Sequence, residues 1–223
     1  MTKCAYEIRL MERHSAGHEV ASDLTNLHCA LLPHSPLVKL GRKFMREVYY
    51  KDLAEDALIS GAIAYLDGVP AGFIVGTGDP NGFMSKGLRR HWFKIAWTIC
   101  TSVVTGIASL RGLNEARRIE HNVKSEGYGP EFGEILSFGV LHEFRTRQFV
   151  RERGLLIGQD LHDVIVELLR RQGKSKVRAI VDKDNLQAQF FYRSQGWRVG
   201  LTSVEGWSVP TMEFVLDLPT GSS

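Results

Sequence analysis

The chain has 223 residues, 43% hydrophobic and 24% charged, which suits one soluble globular domain with a substantial core. Its 28 Lys and Arg against 25 Asp and Glu leave a net charge of +3, too balanced to point to nucleic acid. Cys4, Cys29 and Cys100 are far apart and odd in number, with no C-x-x-C spacing, so neither a disulfide framework nor a metal site is expected.

The opening MTKCAYEIRLMERH carries charges through its apolar stretch, unlike a signal peptide, and a reducing cytoplasm is the default setting. Tyr6, Ile8 and Leu10 alternate with Glu7 and Arg9, the pattern of a half-buried strand. Val20, Leu24, Leu27 and Leu31 recur at helical spacing, and Pro33 stops that helix. Ser35-Pro36 reads as an N-cap with proline at the first helical position. Leu37, Leu40, Phe44 and Val48 then give the next helix one apolar stripe. Ile59–Leu66 and Val69–Thr77 flank Asp67-Gly68, a strong hairpin signal.

From Gly82 to about Arg118 the chain reads as mostly helical, interrupted by Gly106 and Gly112. No acid falls between Asp79 and Glu115, where Lys86, Arg89, Arg90, Lys94 and Arg111 gather. Ile95 to Leu110 is uncharged. As a helix it would span about 24 Å, short of a hydrocarbon core of about 30 Å, so a buried or interface helix is expected. A helix lying on a membrane surface is the alternative.

Gly127-Tyr128-Gly129-Pro130 is a loop, and Glu134 to Leu141 is a strand with little alternation, hence central and covered on both faces. A second basic group, Arg145, Arg147, Arg151 and Arg153, falls in the turn after it. Leu161, Val164, Ile165, Leu168 and Leu169 form one face of a helix ending near Gly173. Val177–Val181 is a short buried strand, and Asn185–Gln195 a helix stopped by Gly196. Trp197–Val204 and Val209–Leu216 supply two last strands about the Glu205-Gly206 turn. No repeat, low-complexity tract or linker interrupts the chain, so residues 1–223 are expected to form one domain.

The segment Asn185, Ala188, Phe191, Tyr192, Gly196 and Trp197 has the form N-x-x-A-x-x-F-Y-x-x-x-G-W. With the strand, basic turn, helix and strand before it, it resembles the acetyl-CoA-binding half of the GNAT superfamily of N-acyltransferases. The element order over residues 5–78 and 133–217 is similar to the GNAT fold. That resemblance implies an α+β protein with a central mixed twisted sheet flanked by helices, and an inserted helical segment at about 82–130.

The resemblance also implies roles for particular residues. Phe138, Gly139, Val140 and Leu141 stand where the family's strand holds the pantetheine arm through its backbone. The family's phosphate turn, R/Q-x-x-G-x-G/A, is matched by Arg153, Gly154, Leu155, Leu156, Ile157 and Gly158. Leu156 replaces the family's first glycine, and the stretch from Val140 to Gly158 is longer than the compact pattern. Asn185 and Tyr192 match residues beside the thioester and pantetheine, the tyrosine often protonating the leaving thiolate. Glu134 matches the glutamate that acts as general base in the superfamily's histone acetyltransferases. By residue type alone, Asn185 is also a helix cap, Tyr192 a packing residue and Glu134 a carboxylate at a strand start. His28 and His34 flank the junction of the first two helices, which lines the acceptor pocket in this fold.

The function so implied is transfer of an acetyl group from acetyl-CoA to a small-molecule amine by direct attack, an amino sugar being one candidate acceptor. Two other readings stay open. One is a non-catalytic acyl-CoA-binding module with the same fold, which Leu156 and the long turn favour. The other is a membrane-surface acyltransferase with a longer acyl donor, using Trp92–Leu110. A homodimer is also open, and no nucleic-acid partner is expected.

Overall fold

The computed structural model describes residues 5–11, 18–95, 128–204 and 209–219. They build one seven-stranded sheet in the order β1-β2-β3-β4-β5-β7-β6. β1 (Tyr6–Met11) lies at one edge, where its side chains alternate between partial burial and exposure as the sequence pattern requires. It pairs antiparallel with β2 (Ser60–Leu66), which turns into β3 (Val69–Thr77). The turn is Asp67-Gly68, with φ of 51° and 79°, the doubly positive geometry that matches strand twist. β3 pairs antiparallel with β4 (Phe132–Val140), and β4 pairs parallel with β5 (Lys176–Asp182). β7 (Thr211–Asp217) and the short β6 (Arg198–Val199) complete the sheet.

The expected strand Trp197–Val204 is therefore only two residues of ladder, followed by one isolated bridge between Val204 and Thr211. The Leu201 N–H donates to the Glu213 side chain at 3.1 Å, which takes it out of a regular ladder. The expected turn at Glu205-Gly206 lies outside the described residues.

Helix α1 (His18–Leu31) covers one face of the sheet through Val20, Ala21, Leu24 and Leu27. Ser35 caps α2 (Pro36–Lys39), its Oγ accepting from the Leu37 N–H at 3.2 Å. The single helix expected through Val48 does not form. The chain breaks at Leu40-Gly41, resumes as α3 (Arg42–Phe44), widens into a π-helix (Met45–Asp52) and closes with α4 (Leu53–Glu55). Gly41 takes φ 94° and ψ 151°, open to glycine and strained for other residues. The widened turn is marked by the Leu53 N–H bonding to the Val48 carbonyl, and it buries the consecutive Tyr49 and Tyr50.

After β3 comes α5 (Phe83–Arg90), and residues 92–95 are helical. The rest of the expected helical insertion, including most of the uncharged Ile95–Leu110 run, lies outside the described residues. Among the described residues no helix is long and apolar enough to cross a membrane.

The turn expected after β4 is instead a 3-10 turn (His142–Arg145) and a helix, α6 (Arg147–Arg153). Thr146 caps α6 by accepting from the Phe149 N–H, and Gly154 ends it at φ 67°. This added helix accounts for the long spacing between Val140 and Gly158. α7 (Ile157–Arg171) follows on the other face of the sheet and buries Ile157, Leu161, Ile165 and Leu169. Each of those side chains is worth about 1.5–3 kcal/mol of transfer free energy. α8 (Leu186–Ser194) then adds Tyr192, which packs with Trp197 and Phe214.

Gly41→Ala should destabilise the protein by roughly 1–3 kcal/mol, since an alanine there keeps a strained backbone. A lower urea midpoint with an unchanged slope is the expected result. An unchanged midpoint would show that Gly41 does not hold the break between α2 and α3.

Candidate active site

The parallel pairing of β4 with β5 runs from Phe132↔Lys176 to Ile135↔Ala179 and stops, although both strands continue. The cause lies on the other side of β4. Against β3, Val75 faces Ser137 while Gly76 faces Ile135, so Leu136 is an extra residue in a bulge. Bulges bend and twist the strand that carries them. Beyond Ile135 the β5-facing edge of β4 has no ladder partner among the described residues, and the two strands part to leave a slot. Phe138, Gly139 and Val140 line this slot, and the Leu141 N–H closes the strand onto the Ala71 carbonyl at 2.9 Å. A Cβ on Gly139 would meet Leu31 of α1 at 3.0 Å.

The phosphate-turn candidates meet the slot. Gly158 lies close to it: a Cβ there would stand 3.6 Å from Phe191, 3.7 Å from Phe138 and 3.9 Å from Val140. Leu156 precedes α7 with φ −115°, so no glycine is needed at that position; the left-handed residue is Gly154. No side chain caps the N-terminus of α7, whose first N–H groups and dipole favour an anion. Ile157 faces the core, Leu155 is half-buried, and Leu156 and Arg153 are exposed. Arg145 is fastened to Gln187 of α8 at 2.5 Å.

Asn185 caps α8, its Oδ1 accepting from the Ala188 N–H at 3.0 Å. Tyr192 stacks on Phe214 with ring centroids 5.6 Å apart and meets the edge of Trp197 at 4.8 Å. Trp197 Nε1 donates to His162 Nε2 at 2.9 Å, and His162 Nδ1 lies 3.0 Å from Asp163 Oδ1. Burial raises the Tyr192 hydroxyl well above its ordinary value, which keeps it protonated through neutral pH.

The opposite face of the sheet holds Glu134. Its Oε2 accepts from Arg178 Nη2 at 2.8 Å and Nε at 3.2 Å, with Arg178 only 2% exposed. Oε1 has no hydrogen-bond partner among the described residues. The Tyr128 ring lies 3.6 Å from the guanidinium carbon. Glu213 of β7 joins the group, 4% exposed, its Oε2 taken by the Leu201 N–H and its Oε1 buried without a hydrogen-bond partner among the described residues. Burial raises the Glu134 carboxyl, Arg178 opposes that and Glu213 adds to it, with a net shift upward. Arg178, Tyr128 and Glu213 were not singled out from sequence. The available signal was a lone arginine inside the apolar strand Val177–Val181.

The structure separates the two histidines proposed for the acceptor side. His28 is buried in the core, its Nδ1 2.5 Å from the Tyr50 hydroxyl and its ring 5.7 Å from Phe73. Burial lowers it to about 4, so it is neutral. His34 is exposed beyond the end of α1. A cavity of about 420 Å³ lies at the other end of β4, lined by Asn81, Phe132 and Lys174, and shares Tyr128 with the site. Among the described residues no group of side chains could hold a metal ion.

No protein-family model and no curated protein matches the sequence. Solved structures match the fold. Aminoglycoside acetyltransferase AAC(6')-Ib in complex with coenzyme A aligns with a TM-score of 0.55 and 15% identity, over 96% of this chain and 95% of that one. A GNAT-family acetyltransferase from Streptococcus pneumoniae gives 0.55 and 14%, over 96% and 100%. An acetyltransferase from Streptococcus agalactiae gives 0.54 and 12%, over 96% and 98%. The chain has the GNAT acetyltransferase fold: α+β, with a mixed sheet opened between its fourth and fifth strands.

Arg178→Gln should cost about 3–5 kcal/mol near neutral pH, because Glu134 is left buried beside Glu213 without its cation. The sign follows from the raised folded-state pKa. Above about pH 4.3 the unfolded chain releases this proton first, so the penalty grows as pH rises and fades as pH falls. Urea midpoints for parent and variant should converge in acid. A gap independent of pH would assign the loss to packing of Arg178 rather than to the charge on Glu134.

Proposed function

We propose that this protein transfers an acetyl group from acetyl-coenzyme A to the amine of a small molecule, with an amino sugar as one candidate acceptor. The observation that carries the reading is the slot between β4 and β5, which leads to the uncapped N-terminus of α7. The β4 edge at Phe138–Leu141, which lacks a ladder partner in β5, suits an amide-bearing pantetheine arm. The turn Arg153–Gly158 suits a pyrophosphate, with space left at Gly158 for close approach. Asn185 stands at the start of α8 on the same side.

The chemistry needs two proton movements. An alkyl ammonium is only about one part in a thousand neutral near pH 7, so a base must free its lone pair. Glu134 is assigned that role through Oε1, the oxygen Arg178 leaves open. Its raised basicity suits the task. The amine nitrogen then bonds to the thioester carbon, the C–S bond breaks, and the thiolate takes a proton from Tyr192. The nitrogen loses its second proton as the amide forms; that proton restores Tyr192, and the one held by Glu134 passes to solvent.

The membrane-surface reading has one observation in its favour, the exposed Trp92 and Phe93 at 55% and 71%. The neighbouring Arg90 and Lys94 are paired with Asp56 and Asp52, which leaves little charge for lipid headgroups. The soluble reading is therefore preferred.

Isothermal titration should show acetyl-CoA binding, and pantetheine lacking the nucleotide should bind much more weakly, since the α7 turn contributes charge-assisted hydrogen bonds. Equal affinity would remove the phosphate assignment, and no binding would remove the function. Tyr192→Phe should lower kcat about tenfold or more with acetyl-CoA affinity unchanged, in line with general-acid contributions of about 10²–10⁴. An unchanged kcat would return Tyr192 to a packing role.

Glu134→Gln should lower turnover at neutral pH and recover partly at high pH, where more amine is already free. A parent-like rate with a parent-like pH profile would take Glu134 out of the mechanism.

A further inference from the structure

On one face of the sheet two buried carboxyl groups, Glu134 and Glu213, lie with a single guanidinium, that of Arg178. Arg178 donates to Glu134 through Nη2 and Nε. Glu213 is 4% exposed; its Oε2 accepts from the Leu201 N–H, while its Oε1 has no hydrogen-bond partner among the described residues. A buried carboxylate oxygen left bare is costly, and such groups call for an explanation.

Its position supplies one. Glu213 faces Ile180, the first residue of β5 beyond the pairing that ends at Ala179, so it sits level with the mouth of the slot. It is two strand spacings, about 10 Å, from β4. A nitrogen held at Glu213 would stand on the second strand from β4, whereas Glu134 is on β4 itself. The half-buried Tyr128 packs on Arg178 and interacts with both Arg178 and Glu213 through its hydroxyl, so it is the side chain that would have to move to admit a ligand.

We propose that Glu213 docks a second, non-reacting ammonium group of the acceptor, so that the site selects diamines and polyamino compounds over monoamines. This rests on the acetyl-transfer reading above and narrows its substrate class. Nothing covalent is added: the second nitrogen stays protonated and contributes a charge-assisted hydrogen bond to Oε1.

The test compares cadaverine with pentylamine, which differ by one terminal amine, in binding and in turnover with acetyl-CoA present. Parent protein should bind cadaverine about tenfold or more tightly, the scale of one hydrogen bond to a charged group. Glu213→Gln, assayed below its melting midpoint, should lose that preference while its affinity for pentylamine stays within about twofold. Glu213→Asp, which keeps the charge, should retain part of the preference. Equal affinity of the parent for the two amines would overturn the proposal, as would an undiminished preference in Glu213→Gln. Binding and turnover fail separately. A cadaverine preference without acetylation would strike the proposed activity and leave the Glu213 site standing.

Discussion

The early end of the β4–β5 ladder is the constraint on which the rest of the site depends. A parallel pair normally satisfies its backbone groups along its whole length, and here four residue pairs form before the strands part. Leu136 is the reason, since one extra residue against β3 turns the remainder of β4 away from β5. The unpaired edge so created is a hydrogen-bonding surface on a rigid element. The loop that follows β4 returns through α6 to the start of α7, so an anion-favouring helix terminus meets that edge.

The two faces of the sheet use burial differently. On the α7 side the aromatic group of Phe138, Phe191, Tyr192 and Trp197 is nearly free of charge, and burial alone keeps the Tyr192 proton in place. On the α1 side, burial acts on ions. A buried pair such as Glu134–Arg178 contributes little net stability over well-packed apolar residues, while removal of one partner is expensive. Such a pair is more informative about arrangement than about stability: it sets which carboxylate oxygens remain available. Tyr49 and Tyr50 reach this face together because the chain widens into a π-helix.

Departure from a family pattern and loss of its physical basis are separate matters here. Leu156 stands where the resemblance in sequence called for glycine, but its φ is negative and its side chain is half exposed. The conformational demand has moved to Gly154, which ends the extra helix α6. The helix terminus is unaffected.

Much of the fold was legible in the sequence because its signals are local. Alternation placed β1, the Asp67-Gly68 pair placed the β2–β3 hairpin, and helical spacing with Asn185 and Gly196 placed α7 and α8. The breaks in the second helical region were not legible, since the stripe of Leu40, Phe44 and Val48 survives burial even though Gly41 interrupts the helix. Nor was α6, where Thr146 and Gly154 were cap signals hidden in a basic stretch. The sequence by itself determined the order of the main strands and helices and the caps that bound α8. Tertiary structure alone decided that Glu134 meets Arg178, 44 positions away, that Glu213 joins them, and that His28 goes into the core while His34 stays outside. Those outcomes depend on strand register and on which face a helix covers, which are set by the packing of the whole sheet and not by any neighbouring residues.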